Sequence, residues 1–145
     1  MSRLDLGGGY APAPNHINID LIPEADIIWN LNKGLPPSIE ANSIDGVRCN
    51  QLIEHLDTII PLMNDCFKVM KSDTLLEIST PKGGTDPFWQ DPTHKKGYVR
   101  ESFLYFVKDS PFKNEQDEYG ITARFVFEWE LLEWGWNLQV KLRKP

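Results

Sequence analysis

A short apolar segment that runs directly into three glycines places the strongest constraint on how this chain can fold. Leu4-Asp5-Leu6 is followed at once by Gly7-Gly8-Gly9. Glycine tolerates positive φ angles and lets a ligand approach the backbone closely, so the pattern predicts a strand that ends in a ligand-binding turn. A tight bend without any ligand needs the same glycines, and both interpretations stay open on this motif alone.

A carboxylate 11 residues after Gly9 favours the ligand-binding interpretation. Asp20 closes the next apolar segment, where a carboxylate can accept hydrogen bonds from both hydroxyls of a ribose. A dinucleotide site needs a helix that opens at the glycines and an acidic residue ~20 positions on. Pro12 and Pro14 disfavour such a helix here. The spacing therefore predicts a ligand with a ribose and no phosphate, such as S-adenosylmethionine, and disfavours NAD.

The sequence pattern in the rest of the amino-terminal two thirds predicts several strands and few helices. Apolar segments closed by Gly, Pro, Asn or Asp predict strands at residues 3–6, 17–19, 26–29, 46–49 and 75–79. Short apolar strands are typical of a parallel sheet covered on both faces. Apolar residues at helical spacing predict one helix between Asp57 and Asp73, with Pro61 in its first turn, and a shorter helix over residues 100–107.

The carboxyl-terminal residues show a different pattern, typical of antiparallel strands. Phe125, Phe127 and Trp129 alternate with Val126, Glu128 and Glu130, and a similar alternation at residues 138–142 follows a turn near Gly135. We expect a hairpin with Phe125, Phe127 and Trp129 on one face. Three tryptophans of this hairpin, Trp129, Trp134 and Trp136, belong to the core, to a surface for homo-oligomer formation or to a substrate platform. The whole pattern predicts an α/β, Rossmann-like sheet, mostly parallel, with a carboxyl-terminal antiparallel hairpin and a reduced helix complement.

Composition limits the classes of function. A chain of 145 residues is the length of a single domain, here residues 1–145. A net charge of −6 argues against nucleic acid as a partner, and no apolar run is long enough for a membrane helix. The three histidines lie far apart in the sequence and the two cysteines form no zinc signature, so no metal site is expected. These features predict a cytoplasmic protein that acts on small molecules.

The chain resembles the class I S-adenosylmethionine-dependent methyltransferases, and within them a compact subgroup whose first helix is shortened or lost. The resemblance covers roughly residues 3–106. It rests on the glycine turn and Asp20 and on five further segments: Leu35-Pro36, Ser43-Ile44-Asp45, Glu54-His55-Leu56, Phe67-Lys68-Val69-Met70-Lys71 and Asp91-Pro92-Thr93-His94. The resemblance implies a seven-stranded Rossmann-like sheet with S-adenosylmethionine as cofactor.

The resemblance also implies which residues bind that cofactor. The methionine part of the cofactor would lie along Asp5 and the three glycines, and Asp20 would hold the ribose. The adenine would lie near Asn30 and Leu31. The methyl-transfer side would be lined by the three residues after the fourth strand, Asn50, Gln51 and Leu52.

On the acceptor side, Glu54, His55 and His94 are the candidate catalytic residues, with Asp91 as a further candidate base. Histidine is the natural base near neutral pH, while Glu54-His55 can equally be a structural turn. We expect His55 and His94 to face the methyl group from opposite walls of a cleft. Residues 81–98 would form a lid over it, with Gly83 and Gly84 as hinge and Phe88 and Trp89 excluding water. The alternative function is a non-catalytic domain that binds S-adenosylmethionine or S-adenosylhomocysteine and serves regulation or assembly.

Overall fold

The computed structural model of the chain describes all 145 residues and contains one seven-stranded sheet. Its strands are β1 Leu4–Leu6, β2 Ile17–Asp20, β3 Ile27–Ile28, β4 Val47–Asn50, β5 Leu75–Pro81, β6 Val126–Glu133 and β7 Asn137–Arg143. They lie in the order β3-β2-β1-β4-β5-β7-β6. The first five strands pair in parallel, and β7 pairs antiparallel with both β5 and β6. The expected mostly parallel sheet with a carboxyl-terminal hairpin is confirmed.

Few helices accompany this sheet, as expected. They are α1 Ile60–Val69, α2 Asp86–Gln90 and α3 Lys113–Glu118, with 3-10 helices at Leu31–Lys33, Ile53–His55 and Arg100–Phe106. The predicted long helix is α1, which carries Pro61 in its first turn and buries its apolar side. The predicted second helix is the 3-10 helix at Arg100–Phe106, whose Phe103 and Phe106 are buried. No helix is both long and apolar enough to cross a lipid bilayer.

Apolar side chains cover only one face of the sheet, so the expectation of a sheet covered on both faces is wrong. Along β5, Leu76, Ile78 and Thr80 are buried whereas Glu77 between them is exposed. The two connections from β1 to β3 are loops without a helix. Strands of three or four residues are too short to display this alternation in the sequence, which is why the open face went unpredicted.

The open face carries a row of residues in register on five neighbouring strands, which we call the charged row. It consists of four charged residues and a tryptophan at its edge: Asp5, Arg48, Glu77, Lys141 and Trp129. Arg48 Nη1 lies 3.0 Å from Asp5 Oδ2, and Lys141 Nζ lies 2.9 Å from Glu77 Oε1. Lys141 Nζ also lies 5.3 Å from the centroid of the Trp129 ring. Opposite charges on adjacent strands stabilise the pairing, so this face is compatible with water and needs no helical cover.

A β-bulge in β6 separates two aromatic residues that the sequence pattern places together. Phe127 pairs with Leu142, whereas Trp129 pairs with Lys141, and the register shifts between them. Phe125 is completely buried, but Trp129 is 41% exposed on the open face. The expectation that all three aromatic residues share one face is therefore wrong for Trp129, because the extra residue reverses the alternation.

Candidate functional site

The three glycines after β1 form a turn that is fixed by hydrogen bonds, and only one of them presents open backbone. The Gly8 N–H donates to Asn18 Oδ1 at 3.1 Å, and Asn18 Nδ2 donates to the Gly9 carbonyl at 3.1 Å. A Cβ on Gly8 would lie 2.7 Å from Asn18 Oδ1. At Gly9, where φ is +58°, the space for a Cβ is empty. A ligand can therefore approach the backbone at Gly9.

Asp20 lies beside that open backbone at the end of β2. Its Oδ2 accepts a hydrogen bond from the Gly9 N–H at 2.9 Å, and its Oδ1 accepts one from the Leu21 N–H at 2.6 Å. Each carboxylate oxygen has a second lone pair, so Asp20 can still accept hydrogen bonds from ligand hydroxyls. This geometry fits a ribose. None of the five principal cavities is lined by Gly9 or Asp20.

Asp5 has a structural environment rather than a ligand-facing one. Its side chain is completely buried, and Oδ2 accepts hydrogen bonds from the Ala13 N–H at 2.7 Å and from Arg48 at 3.0 Å. Its Oδ1 has no hydrogen-bond partner and is closed off from solvent. Asp5 therefore supports the loop that follows the glycines, instead of lying along a cofactor as expected.

The other residues expected to bind the cofactor differ in whether their side chains are exposed, buried or already hydrogen-bonded. Asn30 caps the following 3-10 helix through a hydrogen bond to Asn32, and Leu31 is buried. Asn50 is exposed at the end of β4. Gln51 has a φ of +53°, which is strained for a non-glycine residue.

Hydrogen bonds hold the strained Gln51 in place. Its Nε2 donates to Ser79 Oγ at 3.1 Å and to Asn137 Oδ1 at 2.9 Å. Leu52, the next residue, packs against Gly7. The segment after β4 is thus fixed between the glycine turn and the start of β7.

Glu54, His55 and His94 form one compact group beyond the ends of β4 and β5, which we call the Glu-His-His cluster. Their candidate ligand atoms all lie within 4.8 Å of one another, and the two imidazole rings make an edge contact with centroids 4.8 Å apart. The two histidines therefore lie on the same wall. The prediction that they face each other across a cleft is wrong.

Glu54 is the buried member of this cluster. Its side chain is completely buried; Oε2 accepts a hydrogen bond from Thr80 Oγ1 at 2.9 Å, while Oε1 has no hydrogen-bond partner. Burial raises the pKa of the Glu54 carboxyl, and the Thr80 hydrogen bond and the nearby His55 and His94 oppose that rise. The sequence analysis missed Thr80, although the alternation along β5 places it on the buried face.

Backbone hydrogen bonds bring His94 to Glu54. The N–H groups of Lys95 and Lys96 both donate to the Glu54 carbonyl, at 2.7 and 3.3 Å. The His94 ring stacks on Phe88 with centroids 5.5 Å apart. The end of the 81–98 segment is therefore attached directly to the 3-10 helix that follows β4.

The same segment is also closed at its base by a backbone hydrogen bond, and its movement as a hinged lid stays a prediction. The Gly83 N–H donates to the Tyr98 carbonyl at 2.9 Å. Gly97 lies so close that a Cβ on it would be 2.7 Å from Gly83 Cα. Phe88 is buried in place, and Trp89 is 71% exposed rather than turned over the cluster.

The cluster is accessible from outside the protein. The side chain of His55 is 35% exposed and that of His94 is 8% exposed. His94 lines a cavity of about 810 Å³ together with Gln51, Pro81, Asp91 and Trp136. Cavities of roughly 300–1,000 Å³ are typical of small-molecule sites. Of the cluster, His94 is therefore the member that faces a space of the size of a small-molecule site.

A seven-stranded sheet in this order, with a glycine turn after β1 and an acidic residue closing β2, is the fold of the class I S-adenosylmethionine-dependent methyltransferases. Among solved structures, the chain is similar to an S-adenosylmethionine-dependent methyltransferase from Archaeoglobus fulgidus. The identity is 17%, the alignment covers 99% of this chain and 86% of the other, and the TM-score is 0.65.

Two further solved structures share the fold. A methyltransferase from Methanosarcina mazei is 12% identical over 99% of this chain and 92% of its own, with a TM-score of 0.66. The [4+2]-cyclase SpnF is 12% identical over 99% of this chain and 75% of its own, with a TM-score of 0.67. The sequence matches no protein-family model and no curated protein.

Proposed function

We propose that the chain binds S-adenosylmethionine at Gly9 and Asp20 and transfers its methyl group to a small molecule held beside the Glu-His-His cluster. The observation that most supports this function is the pairing of Asp20 with the open backbone of Gly9, at the point of a methyltransferase fold where parallel strands end. The carboxyl ends of neighbouring parallel strands form the ligand crevice in sheets of this kind. Residues 1–145 would act as one catalytic domain.

The bound cofactor would supply a sulfonium-activated methyl group, and the residues of the chain would position the two reactants. Asp20 would accept hydrogen bonds from the ribose hydroxyls. The cluster would orient the acceptor and receive its proton, since His94 Nδ1 lies 2.6 Å from the Phe88 carbonyl. A carbonyl can only accept, so Nδ1 carries a hydrogen, and in the neutral imidazole Nε2 is the nitrogen that would take a proton.

Cavity size and charge support a small acceptor. The cavity beside His94 has a volume of about 810 Å³, and the net charge of −6 disfavours a nucleic acid. A cytoplasmic location and self-association through the hairpin stay predictions from the sequence.

A second candidate function is a non-catalytic domain that binds the cofactor or its demethylated product for regulation or assembly. The similarity to a [4+2]-cyclase keeps functions other than methyl transfer open, because the same fold serves a protein named for a different reaction. The state of the cluster argues for the enzyme. His55 is partly exposed and His94 lines a cavity, whereas side chains with a purely structural role would all be buried and bonded to backbone.

Calorimetric titration of the purified chain with S-adenosylhomocysteine, with NAD as the comparison ligand, tests the proposed function. We expect S-adenosylhomocysteine to bind in a 1:1 ratio and to raise the melting temperature, because a ligand of the folded state stabilises it by mass action. NAD should do neither. Binding of NAD with equal or higher affinity would overturn the proposal. His94→Ala should bind S-adenosylhomocysteine like the unmodified chain, since His94 lies on the acceptor side.

A further inference from the structure

His55 is hydrogen-bonded through Nδ1, and its other ring nitrogen, Nε2, lies near Glu54. His55 Nδ1 lies 3.0 Å from Thr93 Oγ1, and that hydroxyl donates its own hydrogen to Asp91 Oδ1 at 2.7 Å. Thr93 therefore accepts from the Nδ1–H of His55, and His94 likewise donates through Nδ1 to the Phe88 carbonyl. Nε2 is thus the ring nitrogen of each histidine that is available to a ligand. His55 Nε2 lies 4.0 Å from Glu54 Oε1, and His94 Nε2 lies 3.7 Å from Asp91 Oδ2.

A carboxylate oxygen without a partner completes the group. Glu54 Oε1 is buried, accepts no hydrogen bond, and lies 4.0 Å from His55 Nε2. A buried carboxylate oxygen left unpaired is costly, and a cation beside it removes that cost. No protein donor lies within hydrogen-bond distance of Glu54 Oε1, so this oxygen is the free ligand atom of the carboxyl group.

We propose that Glu54 Oε1, His55 Nε2 and His94 Nε2 bind one divalent transition-metal cation, with Zn²⁺ as the best match. Two imidazoles and one carboxylate are the protein ligands of catalytic zinc sites and of non-haem iron sites. Bonds of ~2.1 Å to a tetrahedral cation place ligand atoms about 3.4 Å apart. One candidate ligand atom from each of the three residues lies within 4.8 Å of the others, and Glu54 Oε1 lies 4.0 Å from His55 Nε2, so side-chain rotations would be needed to close the site.

The surroundings have the organisation of a metal site. Each histidine donates its other ring N–H, His55 to Thr93 and His94 to the Phe88 carbonyl. Outer partners of this kind fix the tautomer and orientation of metal-binding histidines. The fourth coordination position would face solvent and the cavity beside His94, leaving it open to water or to an acceptor.

The sequence analysis expected no metal because the histidines are distant along the chain. The fold removes that objection, since the hydrogen bonds from Lys95 and Lys96 to the Glu54 carbonyl bring His94 to His55. The cation site does not depend on methyl transfer. If both proposals hold, the histidines bind the cation rather than a proton, and the cation lowers the pKa of an acceptor hydroxyl bound to it.

The test is titration of untagged, EDTA-treated chain with Zn²⁺ by calorimetry and with Co²⁺ by visible absorption, without any cofactor present. We expect one ion per chain and the absorption of Co²⁺ bound by nitrogen and oxygen. Glu54→Gln and His94→Ala should each weaken binding by more than the roughly 10- to 100-fold expected for loss of an outer partner, as in Thr93→Val. His16→Ala is the matched control, because His16 bonds only the Pro14 carbonyl on a distant loop, and it should bind normally.

Three results would overturn the cation site. They are no stoichiometric binding, unchanged affinity in folded Glu54→Gln, or a thiolate-to-cobalt absorption band, which would assign the ion to Cys49 or Cys66. Near-ultraviolet circular dichroism establishes that each variant is folded. Should His94→Ala fail to fold, His55→Ala replaces it, since that side chain is 35% exposed. Because no cofactor is present, failure here is distinct from failure to bind S-adenosylhomocysteine.

Discussion

Leu52 occupies the space that a side chain on Gly7 would need: a Cβ placed on Gly7 would lie 2.9 Å from Leu52 Cδ1. Gly7 also has a φ of +68°. Leu52 directly precedes the 3-10 helix Ile53–His55, which carries two members of the Glu-His-His cluster. The contact between Leu52 and Gly7 therefore connects the proposed cofactor turn to the acceptor side of the site.

Gly7→Ala should destabilise the protein more than Gly9→Ala. Both positions have positive φ, which costs an L-residue ~1–2 kcal/mol. Only Gly7→Ala adds a clash with Leu52, and overpacking of this kind costs about 1–3 kcal/mol more. The free energy of unfolding in urea measures the difference. Equal stability of the two variants would contradict the tight contact.

Gly9→Val should reduce affinity for S-adenosylhomocysteine by at least about tenfold, the effect of a clash costing ~1.4 kcal/mol. Gly120→Val is the matched control, because Gly120 also has positive φ (+71°) and open space around it, but lies after α3. Both variants should lose similar stability, so calorimetry at a temperature where both are folded isolates the effect on binding. Normal affinity in Gly9→Val would make the glycine turn a structural bend only.

Asp20→Ala should weaken S-adenosylhomocysteine binding by about 10- to 150-fold, because hydrogen bonds to a charged acceptor contribute roughly 1.5–3 kcal/mol. Glu24→Ala removes an exposed carboxylate from the loop after β2 and should leave binding unchanged. Asp20 also accepts from Gly9 and Leu21, so the melting temperature must be measured for each variant. Unchanged affinity in a folded Asp20→Ala protein would remove Asp20 from the ribose site.

The two ion pairs of the charged row should differ in strength. Arg48→Gln leaves the completely buried carboxylate of Asp5 without its charged partner, and should cost about 1–3 kcal/mol. Lys141→Gln breaks a pair with Glu77 in which both side chains are more than a third exposed, and should cost under about 1 kcal/mol. Urea denaturation of the two variants measures the contrast. A larger loss from Lys141→Gln would contradict the burial of Asp5.

The stabilising effect of Asp45 should disappear in acid. A hydrogen bond from Lys71, and a second from the Ser2 N–H, hold the pKa of Asp45 below its usual value of 3.8. A carboxyl with a lowered pKa in the folded chain stabilises it above that usual value, and the effect is lost as the pH falls through the folded pKa. The melting temperature of Asp45→Asn should be lower than that of the unmodified chain at pH 7. The difference should shrink below pH 3.8, and a constant difference would contradict this.

Strand positions follow from the sequence because their signals are local. The strand predicted at residues 46–49 is found at Val47–Asn50. In contrast, α3 has the sequence Lys-Asn-Glu-Gln-Asp-Glu, with no apolar repeat to mark it. It is held by the buried Gln116, whose Nε2 donates to the carbonyls of Tyr105 and Val107 at 2.9 Å each. Such an element depends on tertiary hydrogen bonds, which no local sequence pattern predicts.

The candidate site likewise has one part that could be predicted from the sequence and one part that could not. Gly9 lies in the turn after β1 and Asp20 ends β2, so their proximity follows from the parallel pairing of the two strands and could be predicted. The contact of His55 with His94 depends on two backbone donors that converge on the Glu54 carbonyl, and backbone groups carry no residue-specific signal. Sequence reasoning therefore identified all three members of the cluster but placed them wrongly relative to one another.

The β-bulge in β6 also limits how the edge of the sheet can recruit another chain. An edge strand exposes unpaired N–H and C=O groups and can act as a template for aggregation, and bulges interrupt that template. Regular pairing between the bulge and the turn runs only over Trp129 to Glu133. Those five residues include Glu130 and Glu133. The edge available for pairing with a strand of another chain is therefore short and carries two negative charges.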